Sequence, residues 1–223
     1  MKGDLGGNPG IQSAVITSGQ FRLRAEVPDD LFSLAVEDDD EAAGIAHAAF
    51  VDRWLPEDAP PGTRERMLAQ LAVARRALAE GGVSYLGLAT AELGGRGVLL
   101  LLGIAVTAFD PPDRVAPGSL LAAMLRARYP AGTALVEEFE TPHGPAVGMR
   151  RTDVLDVPAP GPGAGPLRLD TGVSQGMVVF PDADALGVVT GFCFNPADID
   201  LATILVAAVA CRMKITRIAS PAE

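Results

Sequence analysis

Hydrophobic and polar residues alternate along several stretches of the chain, and this period of two predicts β-strands. In QFRLRAEV, residues 20–27, every second residue is apolar and the intervening ones are Arg22, Arg24 and Glu26. The pattern predicts a strand with one buried and one solvated face. LFSLAV, residues 31–36, predicts a short second strand, and the Gly-rich residues 1–18 predict a flexible arm.

Three pairs of strand-like segments are joined by short turns, which predicts three β-hairpins. They comprise residues 83–92 with 97–106, residues 133–155, and residues 176–181 with 186–194. The run GVLLLLGIAV, 97–106, is apolar throughout, so it predicts a central strand with both faces covered. The Pro- and Gly-rich residues 157–166 predict a loop.

Apolar residues at helical spacing predict helices between these strands. The first follows the acids of residues 38–41, and its stripe is Ile45, Ala46, Ala49, Phe50 and Trp54. The second runs from Thr63 to Gly81-Gly82, and its stripe is Met67, Leu68, Leu71, Ala74 and Leu78. A third, short helix is predicted between Ser119 and Arg128.

The last predicted helix is apolar nearly all round, with no charge from Leu201 to Cys211. A membrane anchor needs about 18–20 apolar residues, so the run predicts a helix buried between layers. Asn195 is the predicted cap, and Pro196 is the predicted first helical residue. We expect Leu201, Leu205 and Ala208 to be buried against a sheet.

Hairpins outnumber strand–helix alternations, which predicts an α+β fold with a central antiparallel β-sheet and helices packed on its faces. The predicted organisation is an arm over residues 1–18, a single α+β domain over 19–217, and a C-terminal tail over 218–223. The 223 residues carry enough apolar side chains, 48%, for a substantial core.

The net charge of −10 is concentrated in residues 26–58, where eleven acids stand against one base, Arg53. This excess argues against nucleic-acid binding. Two interpretations stay open, a solvated acidic face and a docking face for a protein with a basic surface. The acids predicted to lie near such a contact are Glu37, Asp38, Asp39, Asp40, Glu41, Asp52, Glu57 and Asp58.

The N-terminal residues show no secretory pattern, and the chain predicts a cytoplasmic protein without a membrane span. Sixteen Arg against two Lys, with abundant Ala, Gly and Pro, indicate a GC-rich bacterial genome. Association into a homo-oligomer is left open.

A search for chemistry predicts no catalytic residue, no metal site and no cofactor. The chain has no P-loop motif, no GxSxG motif, and only two His and two Cys, at dispersed positions. We expect His47 to pack, His143 to lie at a turn, and Cys193 and Cys211 to be buried hydrophobes. Glu137 and Glu138 predict an edge strand protected by charge, and Arg150 or Arg151 could pair with them across the hairpin.

The order of these segments resembles the Mog1/PsbP-like fold. The segments that carry the resemblance are QFRLRAEVP, AEGGVSYLGLA, GVLLLLGIAV, VEEFETPHGPAVGMRR and VVFPDADALGVVTGFCFNPADIDLATILVAAVACRM. The resemblance implies a central antiparallel sheet with helices on both faces and a mostly non-enzymatic, protein-binding role. Bacterial proteins of this kind include chaperones associated with secretion systems.

Two functions are therefore carried forward. The first is a non-catalytic protein-interaction module, which would be an adaptor, chaperone or structural subunit of a larger bacterial assembly. The second is a small-molecule-binding protein or an enzyme with a site built from scattered residues. A closed pocket with convergent polar side chains favours the second, and a filled interior with an exposed apolar patch favours the first.

Overall fold

A seven-stranded antiparallel sheet dominates the computed structural model, which describes residues 11–18, 20–29, 31–34, 40–93, 95–111, 115–157 and 167–218. Its strands are β3 (Phe32–Ser33), β4 (Val83–Leu93), β5 (Arg96–Ala108), β6 (Ala134–Thr141), β7 (Gly144–Val157), β8 (Leu167–Phe180) and β9 (Ala185–Cys193). Their order is β3-β4-β5-β9-β8-β7-β6. The pairs β4–β5, β6–β7 and β8–β9 confirm the three predicted hairpins.

A second antiparallel sheet joins the two ends of the chain. It contains β1 (Ile11–Ser18), β2 (Phe21–Pro28) and β10 (Lys214–Arg217), in the order β1-β2-β10. The prediction of a flexible arm is wrong for residues 11–18, because they pair with β2 along their whole length and Ile16 is buried. Residues 1–10 lie outside the described residues.

Four α-helices within the described residues complete the α+β architecture, which confirms the predicted fold class. They are α1 (Asp40–Trp54), α2 (Thr63–Glu80), α3 (Pro117–Arg128) and α4 (Ile199–Ala210), and a 3₁₀ turn at Pro196–Asp198 leads into α4. Helix α4 packs on β8 and β9, and α3 packs on β6 and β7. Val147 and Met149 of β7 are buried in one cluster with residues of α3, whereas Ala146 is buried in another cluster with residues of α4. Because successive side chains of a strand point to opposite faces of the sheet, α3 and α4 cover opposite faces.

The main core lies between the seven-stranded sheet, α4 and the three-stranded sheet. Leu23 and Val27 of β2 are buried there with Leu102 and Ile104 of β5. The alternation predicted for residues 20–27 is confirmed, because Phe21, Leu23, Ala25 and Val27 are buried and Arg22 and Arg24 are exposed. Burial of these apolar side chains holds the two sheets and α4 together.

The central position predicted for residues 97–106 is confirmed, since β5 pairs with both β4 and β9. The prediction that both faces of β5 are fully covered is wrong. Val98, Leu102 and Val106 are buried on one face, whereas Leu99 on the other face is 37% exposed. The second face of β5 is therefore half-covered.

The predicted stripes on the first two helices need correction. The buried face of α1 is Ala43, His47 and Val51, while Ile45 is 68% exposed. Apolar residues occur around most of α1, so periodicity could not select the buried face. Helix α2 has the predicted bounds but no fully buried residue, and Ala74 of its predicted stripe is exposed.

No helix in the described part of the chain is long and apolar enough to cross a lipid bilayer. Helix α4 has 12 residues, fewer than the roughly 20 that a transmembrane helix requires.

Candidate functional site

Helix α4 lies on the sheet by a different face from the one predicted. Its buried residues are Ala202, Val206, Val209 and Ala210. The expected burial of Ala208 is wrong, and Leu201 and Leu205 are half-buried. The helix contacts the sheet with its smaller side chains, and the two leucines pack at its flank.

Glycines beneath α4 explain this orientation. A Cβ atom at Gly191 of β9 would lie 2.8 Å from Val206 Cγ2 and 3.1 Å from the carbonyl oxygen of Ala202. A Cβ at Gly176 of β8 would lie 3.1 Å from Val206 Cγ1. The glycines therefore let the helix backbone approach the sheet more closely than side chains would permit.

The entry to α4 is fixed by a cap and an ion pair. Asn195 Oδ1 accepts a hydrogen bond of 3.1 Å from the Ala197 N–H, so the predicted cap is confirmed. Buried Asp198 accepts hydrogen bonds of 2.7 and 2.5 Å from Arg96, the first residue of β5. The hydrogen bonds from Arg96 hold the pKa of Asp198 below its usual value. The sequence predicted only a short turn between residues 92 and 97, and nothing in it indicated this contact.

A groove of about 440 Å³ lies between α4 and β6, and it is half-open to solvent. Its apolar walls are Leu135 and Phe139 of β6 and Val206 and Ala207 of α4. The other residues that line it are Glu137, Glu138, Gly148, Met149, Arg150, Ser174, Gln175, Gly176 and Thr203.

The floor of the groove exists because two neighbouring strands place glycine there. Gly148 of β7 pairs with Gly176 of β8 on one side and with Glu137 of β6 on the other. A Cβ at Gly148 would lie 3.5 Å from Phe139 Cε1, an ordinary contact distance. A larger side chain at Gly148 would thus fit the backbone and fill the groove. The facing glycines in two predicted strands were the signal that sequence reasoning overlooked.

Most polar side chains in the groove are bonded within the protein. Arg150 donates to Asp200 Oδ1 at 2.9 Å, Thr203 donates to the Ile199 carbonyl at 2.8 Å, and Gln175 donates to Thr190 at 3.1 Å. Glu137 forms no ion pair within the described part of the chain. The groove therefore offers apolar contact together with one uncompensated carboxylate.

Glu138 of β6 and the arginines Arg150 and Arg151 of β7 have partners other than those predicted. Strand β6 is an edge strand, as predicted. The cross-hairpin ion pairs are wrong, because Arg150 pairs with Asp200 and Arg151 pairs with Asp153. Glu138 instead accepts a 2.8 Å hydrogen bond from Ser119 of α3. Helices α4 and α3 supply the partners of Arg150 and Glu138, and β7 itself supplies Asp153, so hairpin geometry alone could not show these pairs.

Exposed apolar side chains continue the surface of the groove. Ile204, on the outer side of α4, is 66% exposed, and Leu135 at the β6 wall is 43% exposed. Ala207, which lines the groove, and Ala208, on the same outer side of α4 as Ile204, are exposed as well. This surface comprises the groove and the outer face of α4, and we call it the α4 surface.

The histidines and cysteines do not line the groove. His47 is buried, with Nε2 3.1 Å from the Leu34 carbonyl oxygen, and the His143 ring stacks on Phe180. Cys193 is fully buried, and burial raises the pKa of its thiol. Cys211 is half-buried rather than buried as predicted. The residues that line the groove include Ser174 but no histidine or cysteine that could activate its hydroxyl group for nucleophilic chemistry.

Of the acids predicted to contact a partner, Glu37, Asp38 and Asp39 lie outside the described residues. Asp52 accepts two hydrogen bonds from Arg64, at 2.8 and 3.1 Å, and Asp40 pairs with Arg75 at 2.7 Å. These hydrogen bonds hold the pKa of both carboxyls below the usual value. The remaining predicted contact residues, Glu41, Glu57 and Asp58, are exposed.

The chain matches no protein-family model and no curated protein. Within the described residues, no group of three or more His, Cys, Asp or Glu side chains could hold a metal ion.

Proposed function

We propose that the protein is a non-catalytic protein-interaction module that serves as an adaptor, chaperone or structural subunit of a larger assembly. The observation that carries this proposal is the α4 surface, where an apolar groove continues onto exposed Ile204. Apolar surface of this kind is typical of sites that another protein covers. The layout-level resemblance to Mog1/PsbP-like proteins supports the same role, including a chaperone of a secretion system.

The alternative is a small-molecule-binding protein or an enzyme. The groove volume favours it, since small-molecule sites occupy about 300–1,000 Å³. The polar groups disfavour it, because Arg150, Thr203 and Gln175 already have partners in the protein. A small molecule would also leave Ile204 uncovered, whereas a protein segment could cover the groove and the helix together.

The exposed acids form a second, weaker part of the proposal, which is a docking face for a basic protein surface. Ion pairs to α2 occupy Asp40 and Asp52, so the docking charge would come from Glu41, Glu57 and Asp58 among the described residues. Such a face would steer association and make it sensitive to salt. Capture at low and high salt with Glu57→Gln/Asp58→Asn tests this part separately.

The test of the main proposal is affinity capture with a variant whose groove is filled. Gly148→Val places a side chain on the groove floor, and Gly97→Val is the matched control because no atom lies within 4 Å of its Cβ position. Each variant is first compared with the wild type by thermal unfolding. We expect wild type and Gly97→Val to recover the same protein partner and Gly148→Val to lose it.

Two results would contradict the proposal. One is equal recovery of the partner by folded Gly148→Val and wild type. The other is a small molecule that native mass spectrometry finds on the purified wild type and that Gly148→Val removes. The second result would establish the ligand-binding alternative.

A further inference from the structure

The outer face of the three-stranded sheet is basic, although the chain as a whole carries a charge of −10. Arg22 and Arg24 are exposed on β2, and Lys214 is exposed on β10. The alternate residues Leu23 and Ile215 are buried against the core, so these three cations point away from it. Lys214 is one of two lysines in the chain.

The register of the strands places two of these cations side by side. Lys214 of β10 lies directly opposite Arg24 of β2, and Arg22 follows two residues along the same face. Like charges directly opposite each other destabilise a sheet. Within the described part of the chain, neither Arg22 nor Lys214 forms an ion pair. An external anion would relieve this repulsion.

The rest of the face adds two hydroxyl groups and an exposed apolar side chain. Val15 of β1 lies opposite Arg24 on the other side and is 62% exposed. Ser13 holds Arg24 through a hydrogen bond of 2.8 Å from the guanidinium Nε, and Thr216 lies opposite Arg22. Glu26, opposite Ser13, is the one carboxylate in these strand rows. The face is therefore a cationic strip with an acidic end.

We propose that this face, defined by Val15, Arg22, Arg24 and Lys214, binds an acidic extended segment of a partner protein. Arg22 and Arg24 are two residues apart in a strand, which is a spacing of about 7 Å. Alternate side chains of an extended polypeptide have the same spacing, so two acids at positions i and i+2 match the two arginines. The aliphatic part of the acid side chain that pairs with Arg24 would contact Val15, which lies directly opposite Arg24.

A short acidic segment fits this face better than a polyanion does. A nucleic acid or an anionic membrane carries many negative charges over a large area. Outside the small area around the three cations, the net charge of −10 on the chain repels such a partner. This surface is separate from the α4 surface, so its occupant can be tested without knowing the partner that occupies the groove.

The probe is a fluorescein-labelled eight-residue peptide of alternating Glu and Val, with a Gln-for-Glu peptide as its uncharged control. Binding is measured by fluorescence anisotropy at low and at physiological salt. We expect the acidic peptide to bind, to weaken with salt, and to lose about tenfold in affinity in Arg22→Gln/Arg24→Gln. The charge-matched control Arg66→Gln/Arg76→Gln, on exposed positions of α2, should bind as the wild type does.

Circular dichroism checks that each variant is folded, and Lys214→Gln replaces the double variant if the latter unfolds. The proposal is overturned if the acidic peptide does not bind or if the α2 control loses affinity equally. It is also overturned if a single-stranded oligonucleotide or a phosphatidylglycerol vesicle binds this face more tightly than the peptide. None of these outcomes bears on capture through the groove.

Discussion

Replacing Gly191 by alanine should separate α4 from the sheet by a small but measurable amount. The added Cβ would lie 2.8 Å from Val206 Cγ2 and 3.1 Å from the Ala202 carbonyl oxygen. Carbon atoms in contact prefer about 3.5–4.0 Å. Rotation of Val206 could relieve the first contact but not the second, because the Ala202 oxygen belongs to the helix backbone. The helix itself must therefore shift.

The expected cost follows from two opposing effects. Overpacking of a core lowers the free energy of unfolding by about 1–3 kcal/mol. Alanine also restricts the unfolded chain, which raises the free energy of unfolding by about 0.4–1 kcal/mol. The net loss in the free energy of unfolding should be about 1–2 kcal/mol. For a chain of this length the corresponding fall in Tm is about 2–8 °C.

The matched control is Gly97→Ala on β5, where no atom lies within 4 Å of the added Cβ. Thermal unfolding followed by circular dichroism should show Gly97→Ala at or slightly above the wild-type Tm. Adding Val206→Ala should cost less in the Gly191→Ala background than alone, since the Cγ2 contact is then removed. Equal Tm values for Gly191→Ala and Gly97→Ala would refute the close approach of α4 to β9.

Three further outcomes follow from the same structure. Asp198→Asn should lower the Tm at neutral pH, and its difference from wild type should shrink below about pH 4. Arg96 lowers the pKa of Asp198 in the folded state, so the ionised carboxylate stabilises the fold and this stability is lost as Asp198 is protonated. A constant difference in Tm down to pH 2 would contradict this. Cys193 should react with a thiol reagent slowly in the native protein and quickly after denaturation, and fast native labelling would show an exposed thiol. Ile204→Asp should leave the Tm unchanged, whereas Val206→Asp should prevent folding, and the reverse order would show that α4 is rotated.

The hairpins were predictable because each one is local in sequence. Alternation and turn residues within about 25 positions define β4–β5, β6–β7 and β8–β9. The three-stranded sheet was not predictable in this way. Its outer strands β1 and β10 are separated by nearly the whole chain, and the four residues of β10 are too few to show a period.

Burial on the helices was harder to predict because the sheet decides it. In α4 the leucines look like the natural core residues, but glycines at Gly176 and Gly191 favour contact by the smaller Val206. In α1 the buried side is set by His47, which bonds to the Leu34 carbonyl. Helical periodicity contains no information about the shape of the opposing surface.

The candidate site was missed for a related reason. Its polar residues resemble ordinary surface charge in the sequence, and the groove arises from the absence of a side chain at Gly148. The row Glu137, Gly148 and Gly176 forms only when three strands pair in register. The acids of residues 37–58, in contrast, were evident from composition, but the ion pairs of Asp40 and Asp52 with α2 were not.

Hydrogen–deuterium exchange of the wild-type protein, free and bound to the partner that it captures, tests the central claim most directly. If the α4 surface is the docking site, binding should slow exchange in β6 and α4, with the largest change at residues 134–141 and 199–210. Unchanged exchange in both elements, with protection confined to another part of the chain, would contradict the assignment of the α4 surface as the interaction site.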